Sequence, residues 1–184
     1  TITPRLAGGL GLHAQWDDDV HHALHAMLTG ERQGYYVDFG SVATTRHALT
    51  HGFVHDGTWS TFRARHHGAP LDRQHTPGHQ LVACVSDHDQ VGNRAVGDRP
   101  AASMPPGRAL IGVGLLVTSA FTPMLFMGEE WAASRPWLYF TDHPDPQLAA
   151  AVRQGRRAEF DAHGWTAEEI PDPQDPATLA ESTL

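Results

Sequence analysis

Lysine is absent from this chain of 184 residues: all 13 basic side chains are arginines, against 21 Asp and Glu. The resulting formal net charge of −8 argues against a nucleic-acid-binding domain, which would carry a basic face. Cysteine is nearly absent as well. The single Cys84 excludes an internal disulfide framework and any multi-cysteine zinc site. Long apolar runs are missing: the longest, residues 109–120, is interrupted by Gly112 and Gly114 and stops short of the ~20 residues of a membrane span. The N-terminus carries no basic stretch followed by an apolar core, so no signal peptide is expected, and with the lone cysteine this points to the cytoplasm. The chain opens Thr1-Ile2-Thr3-Pro4 without Met, which raises the expectation of a piece of a longer protein. What is present is globular in character, with 40% hydrophobic and 18% charged residues, and 14 histidines that would weaken the negative charge at acidic pH.

The pattern along the chain alternates strands and helices. Residues 11–16 form an alternating apolar run that ends in Asp17-Asp18-Asp19, as a strand running into a helix N-terminus would. Val20, Ala23, Leu24, Met27 and Leu28 then trace a helical stripe closed by Gly30. A second helix is expected over residues 42–54, and residues 63–79, polar and rich in Gly and Pro, read as a loop. Residues 80–86 are the clearest strand and empty into Asp87-His88-Asp89-Gln90-Val91-Gly92-Asn93-Arg94. Residues 110–120 predict a buried helix, residues 123–128 a further strand ending in Glu129-Glu130-Trp131, and residues 147–163 a last helix. The Pro-rich stretch 171–176 reads as a linker. Such alternation predicts a parallel sheet covered by helices, with the three polar strand ends on one rim, the edge where α/β folds carry their sites.

Asp87-His88-Asp89 is the strongest candidate site, because two carboxylates around an imidazole cannot be buried without partners. The competing reading is a solvated loop with a helix cap. His21 and His25, and His47, His51 and His55, recur at helical spacing and could in principle share a zinc ion. No Glu stands in an H-E-x-x-H arrangement and no third ligand is suggested, so a solvated helix face is preferred and neither metal nor cofactor is expected. Glu129-Glu130 fits a catalytic carboxylate beside a structural one, or the first-turn acids of a helix. Cys84, inside a strand, reads as a buried small apolar residue. The aromatics Tyr35, Tyr36, Phe39, Trp131, Trp137, Tyr139 and Phe140 suit either core packing or stacking on sugar rings.

The segment from Cys84 to Arg94, an apolar strand ending in Asp-His-Asp, resembles a signature region of the α-amylase superfamily of glycoside hydrolases. The stretch Gln15-Trp16-Asp17-Asp18-Asp19-Val20-His21-His22-Ala23-Leu24-His25 with Leu28-Thr29-Gly30-Glu31, the stretch Thr122-Pro123-Met124-Leu125-Phe126-Met127-Gly128-Glu129-Glu130-Trp131, Tyr35-Tyr36, Gly97-Asp98-Arg99 and the 171–176 segment narrow the resemblance to the superfamily's trehalose-releasing family. Its members hydrolyse the α-1,4 bond joining trehalose to the rest of a maltooligosyltrehalose.

The resemblance implies part of a retaining glycosidase on a (β/α)8 TIM barrel, with residues 1–164 carrying barrel strands six to eight and residues 165–184 a linker. It implies that nucleophile and general acid lie upstream. Asp89 matches the transition-state stabiliser. His88, Gln90, Asn93 and Arg94 match substrate contacts on one wall of the cleft. Trp16, Asp18, Asp19, His21 and His22 are expected on another, with Trp16 as a stacking face and the aspartates as hydroxyl acceptors. The implied partner is an α-glucan substrate together with the rest of the barrel, with no nucleic acid or membrane. Asp87 departs from the family's usual Asn and would raise proton affinity at the site. Asp17 stands where Asn or Ser is expected. A related branching or debranching enzyme and a non-catalytic glucan-binding module are the alternatives.

Overall fold

The computed structural model describes residues 2–161, 166 and 169–184. The chain divides into two compact units, Thr1–Val85 with Met104–Phe126, and Ser86–Ser103 with Met127–Leu184. The domain boundary expected at 164/165 falls outside the described residues.

The first unit is built on a three-stranded parallel sheet of β1 (Gln15–Trp16), β4 (Leu81–Cys84) and β5 (Thr122–Met124), with β4 in the centre. Gln15 pairs with Leu81, and Val82 and Cys84 with Thr122 and Met124. The sequence pattern makes β4 central, because Leu81, Ala83 and Cys84 are all buried while the outer strands are half open. Helix α1 (Asp18–Thr29) packs on the sheet through Val20, Leu24 and Leu28, joined in the core by Val85, Leu116 and Phe121. Asp17 starts α1 by accepting from Val20 N at 3.3 Å, and Gly30, at φ 87°, ends it in the left-handed conformation that only glycine adopts without strain. Helix α2 (Val42–His51) lies against α1 and is shorter than the 42–54 expected, because Gly52 turns the chain. Helix α5 (Pro106–Val117) opens on Pro106, a residue pre-set for the first helical turn, and its small Gly112 lets Leu28 and Val85 approach.

Two further expectations are corrected in this unit. The expected strand over residues 11–16 is only Gln15–Trp16. The 63–79 loop contains the second arm of a hairpin, β2 (Trp59–Ser60) with β3 (Arg65–His66), antiparallel with Trp59 opposite His66. Arms of two residues are too short for any periodicity to register.

The second unit holds the short helices α3 (His88–Gly92) and α4 (Pro100–Ser103), the longer α6 (Pro146–Asp161), and α7 (Pro176–Ser182). Ala162 and His163, expected at the end of α6, lie outside the described residues. The 171–176 segment, read as a linker, is instead held: Thr141 N donates to Pro173 O at 2.7 Å, Arg153 pairs with Asp172, and Leu138 N donates to Ser182 Oγ at 3.0 Å. Asp175 caps α7 at Ala177 N, with Pro176 in its first turn. No helix among the described residues is long and apolar enough to cross a membrane.

Candidate functional site

Where β1 ends, α1 begins, and its first turn lines a cavity of about 310 Å³ in the first unit. Trp16, Asp18, Asp19 and His22 form one side; Phe53, His55, Arg63, His67 and Gly68 form the other. The first set was foreseen and the second was not, because its residues come from the turn and hairpin that follow α2. Trp16 keeps 46% of its surface open, so an indole face is available to a ligand.

Each acid of the 17–19 run does a different job. Asp17 is buried, and burial, followed by the charge of Asp19, pushes its carboxyl up from 3.8 to about 7, although the hydrogen bond from Val20 N opposes this. Its Oδ2 has no hydrogen-bond partner among the described residues. Asp19 is turned inward: Oδ2 accepts from Val54 N at 2.7 Å and His55 N at 2.9 Å, which fixes the far wall of the cavity to α1. Of the Asp19 carboxylate, Oδ1 remains toward His22, 3.9 Å away. Asp18 stands exposed at the rim.

The histidines divide similarly. His22 lies on the cavity wall among Tyr35, Tyr36 and Phe39, with centroids 4.9–5.4 Å away, and burial lowers its pKa to about 4, so it is a neutral hydrogen-bonding ring at neutral pH. His21, expected among the substrate contacts, does not line the cavity. It is fully buried, with Nδ1 2.6 Å from Val85 O and Nε2 3.1 Å from the Tyr36 hydroxyl. Burial and the neighbouring rings of His22 and His25 keep it neutral, so Nδ1–H donates to the carbonyl and Nε2 accepts from Tyr36. One position along a helix is a rotation of about 100°, which carries His21 off the cavity face and onto the buried face of α1.

In the second unit the Asp87–Arg94 segment is the start of α3. Asp87 is its N-cap: Oδ1 accepts from Asp89 N at 2.8 Å and Gln90 N at 3.2 Å, and the Gln90 carboxamide, with its nitrogen turned inward, donates to Oδ2 at 3.2 Å. Asp87 is buried, whereas the side chains of His88 and Asp89 are 58% and 71% exposed, with Nε2 and Oδ1 3.4 Å apart. The cap reading and the site reading of Asp87-His88-Asp89 are thus compatible: Asp87 builds the turn that presents the other two. An Asn side-chain oxygen would accept the same two amide bonds, so the cap does not itself require a carboxylate at this position. Asn93 is exposed at the far end of α3, and Arg94 pairs with Asp98 at 2.8 Å. Arg156 of α6, buried against Phe160 and Tyr139, donates to Gly92 O and Arg94 O, both at 2.8 Å, and so anchors the end of α3.

Two further motifs prove to be supports. Ser86 Oγ donates to Glu129 Oε1 at 2.6 Å, and Glu130 Oε2 accepts from Gly128 N at 2.9 Å, so both carboxylates of the pair have positioning bonds. Gly97-Asp98-Arg99 is a clamp: Trp137 N donates to Gly97 O, and Arg99 donates to Met127 O and Arg135 O, both at 2.7 Å. Gly97 has φ 58°, and a Cβ there would lie 2.4 Å from Trp137 O. Gly97→Ala is expected to destabilise by about 2–4 kcal/mol through strain and overlap with backbone that cannot give way. Thermal unfolding checks this; an unchanged midpoint would refute the clamp. Cys84 is buried in β4, as its position suggested. Among the described residues no group of three or more His, Cys, Asp or Glu is placed to hold a metal ion.

No protein-family model matches the chain. It is 56% identical over 183 residues to the malto-oligosyltrehalose trehalohydrolase of Arthrobacter ramosus, a match covering 100% of this chain and 32% of that protein. It is 51% identical to the Mycobacterium tuberculosis enzyme of the same name over 183 residues, again 100% of this chain and 32% of the relative. With the corresponding protein of Saccharolobus solfataricus the identity is 40% over 183 residues, covering 100% of this chain and 31% of the relative. In three dimensions it is similar to an α-amylase-like protein of Salmonella typhimurium, at a TM-score of 0.83 and 40% identity over 92% of this chain and 28% of that one. The chain thus spans about a third of the length of the curated relatives it matches.

Proposed function

We propose, from the premise that this chain is a segment of a protein of the malto-oligosyltrehalose trehalohydrolase family, that it supplies one part of a retaining glycosidase that releases trehalose from maltooligosyltrehalose. The observation that carries this reading is the coincidence of 56% identity along the whole of this chain with an exposed Asp89 held on a capped turn directly after a buried parallel strand. In this reading β1, β4 and β5 are strands six, seven and eight of a (β/α)8 barrel, and their two open edges are completed by strands outside these residues. Exposed Leu110, Ile111 and Val117 on α5 fit a helix that has neighbours in the whole barrel.

The chemistry divides between this segment and the remainder. The carboxylate nucleophile and the Glu general acid lie outside it. Asp89 lends its charge to the oxocarbenium-like transition state, and His88 hydrogen-bonds the same sugar. Gln90, through its contact with Asp87, and Asn93 and Arg94 shape the loop that follows. In the first unit Trp16 stacks on a glucose ring, Asp18 accepts from hydroxyls at the rim, Asp19 holds the wall, and neutral His22 offers a ring nitrogen without attracting ions. Such a protein works in the cytoplasm, in trehalose formation.

Branching and debranching enzymes share the superfamily but not the names of the relatives found, and a non-catalytic glucan-binding module leaves the exposed Asp89 without a role. The test is Trp16→Ala in the complete enzyme. Loss of a stacking face is expected to raise KM for maltooligosyltrehalose about tenfold with kcat little changed, since the ring binds ground and transition state alike. An unchanged KM would remove Trp16 and its cavity from the substrate path.

A further inference from the structure

Beside the cavity of Trp16, on the other side of His55, the first unit has a second and more open one of about 480 Å³. It is outside every motif that pointed to the glycosidase. Its wall carries two imidazole–carboxylate pairs, His47 Nε2 3.5 Å from Asp56 Oδ2 and His55 Nε2 3.7 Å from Asp38 Oδ2, with the indole of Trp59 beside them. His55 is only 9% exposed and, among the described residues, its Nδ1 has no hydrogen-bond partner. Buried polar atoms without partners are costly, and a ligand or ordered water with matching groups removes the cost.

The chemistry of the wall narrows the ligand. Two carboxylates repel an anion. A metal ion needs three or more ligands converging on one point, but here the Nε2 of each imidazole faces a carboxylate of its own, and His47 stacks flat on His51 at 4.3 Å. Asp38 Oδ2 is further occupied by Thr61 N at 2.7 Å. What remains is a neutral ligand rich in hydroxyls with an apolar face. Trp59, 54% exposed and meeting His66 only edge-on, offers the surface on which such a face stacks. The volume lies within the range of about 300–1,000 Å³ typical of small-molecule sites.

We propose that this cavity is a second binding site for a glucose unit of an α-glucan, separated from the first by the shared His55. The site takes only its ligand class from the proposed function. Because Asp19 holds His55 N from the first cavity, the two sites share one wall that is anchored to α1.

The test follows the indole N–H resonances of Trp59 and Trp16 in the full chain during titration with maltohexaose. Trp59 is expected to shift with its own saturation curve, and Trp59→Ala and Asp56→Asn are each expected to weaken that second binding event about tenfold while the Trp16 curve is retained. The Asp56 variant keeps the hairpin intact, so it decides the matter if the Trp59 variant is misfolded. A Trp59 resonance that stays still while Trp16 titrates overturns the second site and leaves the proposed function standing. The reverse, Trp59 moving and Trp16 still, supports the second site and counts against the function. If zinc chloride moves the Trp59 signal and maltohexaose does not, the site is a metal site and the proposal is overturned.

Discussion

Asp89→Asn, in a barrel completed by the upstream portion of the Arthrobacter ramosus relative, is expected to lower kcat for trehalose release by about 10²–10³-fold with KM little changed. The substitution keeps size and hydrogen-bonding capacity and removes only the charge. A charge that acts on the developing oxocarbenium ion contributes mostly in the transition state, so its loss belongs in kcat. The side chain is 71% exposed, and its backbone N–H is held by Asp87, so the variant has no fold-level reason to fail. Asp87→Asn is the matched control. An amide oxygen caps α3 as well as a carboxylate does, so activity should be kept; equal losses from both variants would mean that the turn, and not the Asp89 charge, is what matters.

Asp17→Asn should stabilise the protein, and by more at alkaline pH. Burial and Asp19 raise the Asp17 carboxyl from 3.8 to about 7, so the folded state holds a proton that the unfolded chain has already lost. Stability is therefore fullest below the unfolded value and falls as the pH rises towards about 7. The amide is neutral throughout and still accepts from Val20 N, so the gain over the parent should grow by about 2–3 kcal/mol between pH 5 and pH 8. Urea unfolding at the two pH values measures this. Histidines 21 and 22, held neutral by burial, impose an acid-side loss of the opposite sign, which is common to both proteins and drops out of the difference. An equal gain at both pH values would mean that Asp17 is ionised in the fold.

What could be read from the sequence follows physical rules that act locally. Helix α1 was legible at both ends because its cap, apolar stripe and terminal glycine lie within fourteen residues. The central strand was legible from its run of buried residues. The far wall of the Trp16 cavity was not, since Phe53, His55, Arg63 and His67 are brought there by a hairpin with two-residue arms and by the bonds of Asp19, neither of which leaves a periodic trace. Ala64, with φ 50°, makes a turn without the glycine that usually announces one. Helix α7 was missed for a different reason. Asp175-Pro176 is a cap followed by a first-turn proline, a helix start that is easily taken for a linker when it stands in a row of prolines. His21 shows the limit of reading by motif: its place in the family-like stretch suggested substrate, but its position on α1 puts it in the core.

The central claim is that these residues belong to a trehalose-releasing glycosidase whose nucleophile and acid are elsewhere. It is tested most directly by exchanging this chain for the corresponding segment of the Arthrobacter ramosus enzyme, to which it is 56% identical, and assaying trehalose release from maltooligosyltrehalose beside the chain alone. The account predicts turnover by the exchanged enzyme and none by the chain. A folded but inactive exchange, or release of trehalose by the 184 residues alone, would contradict it.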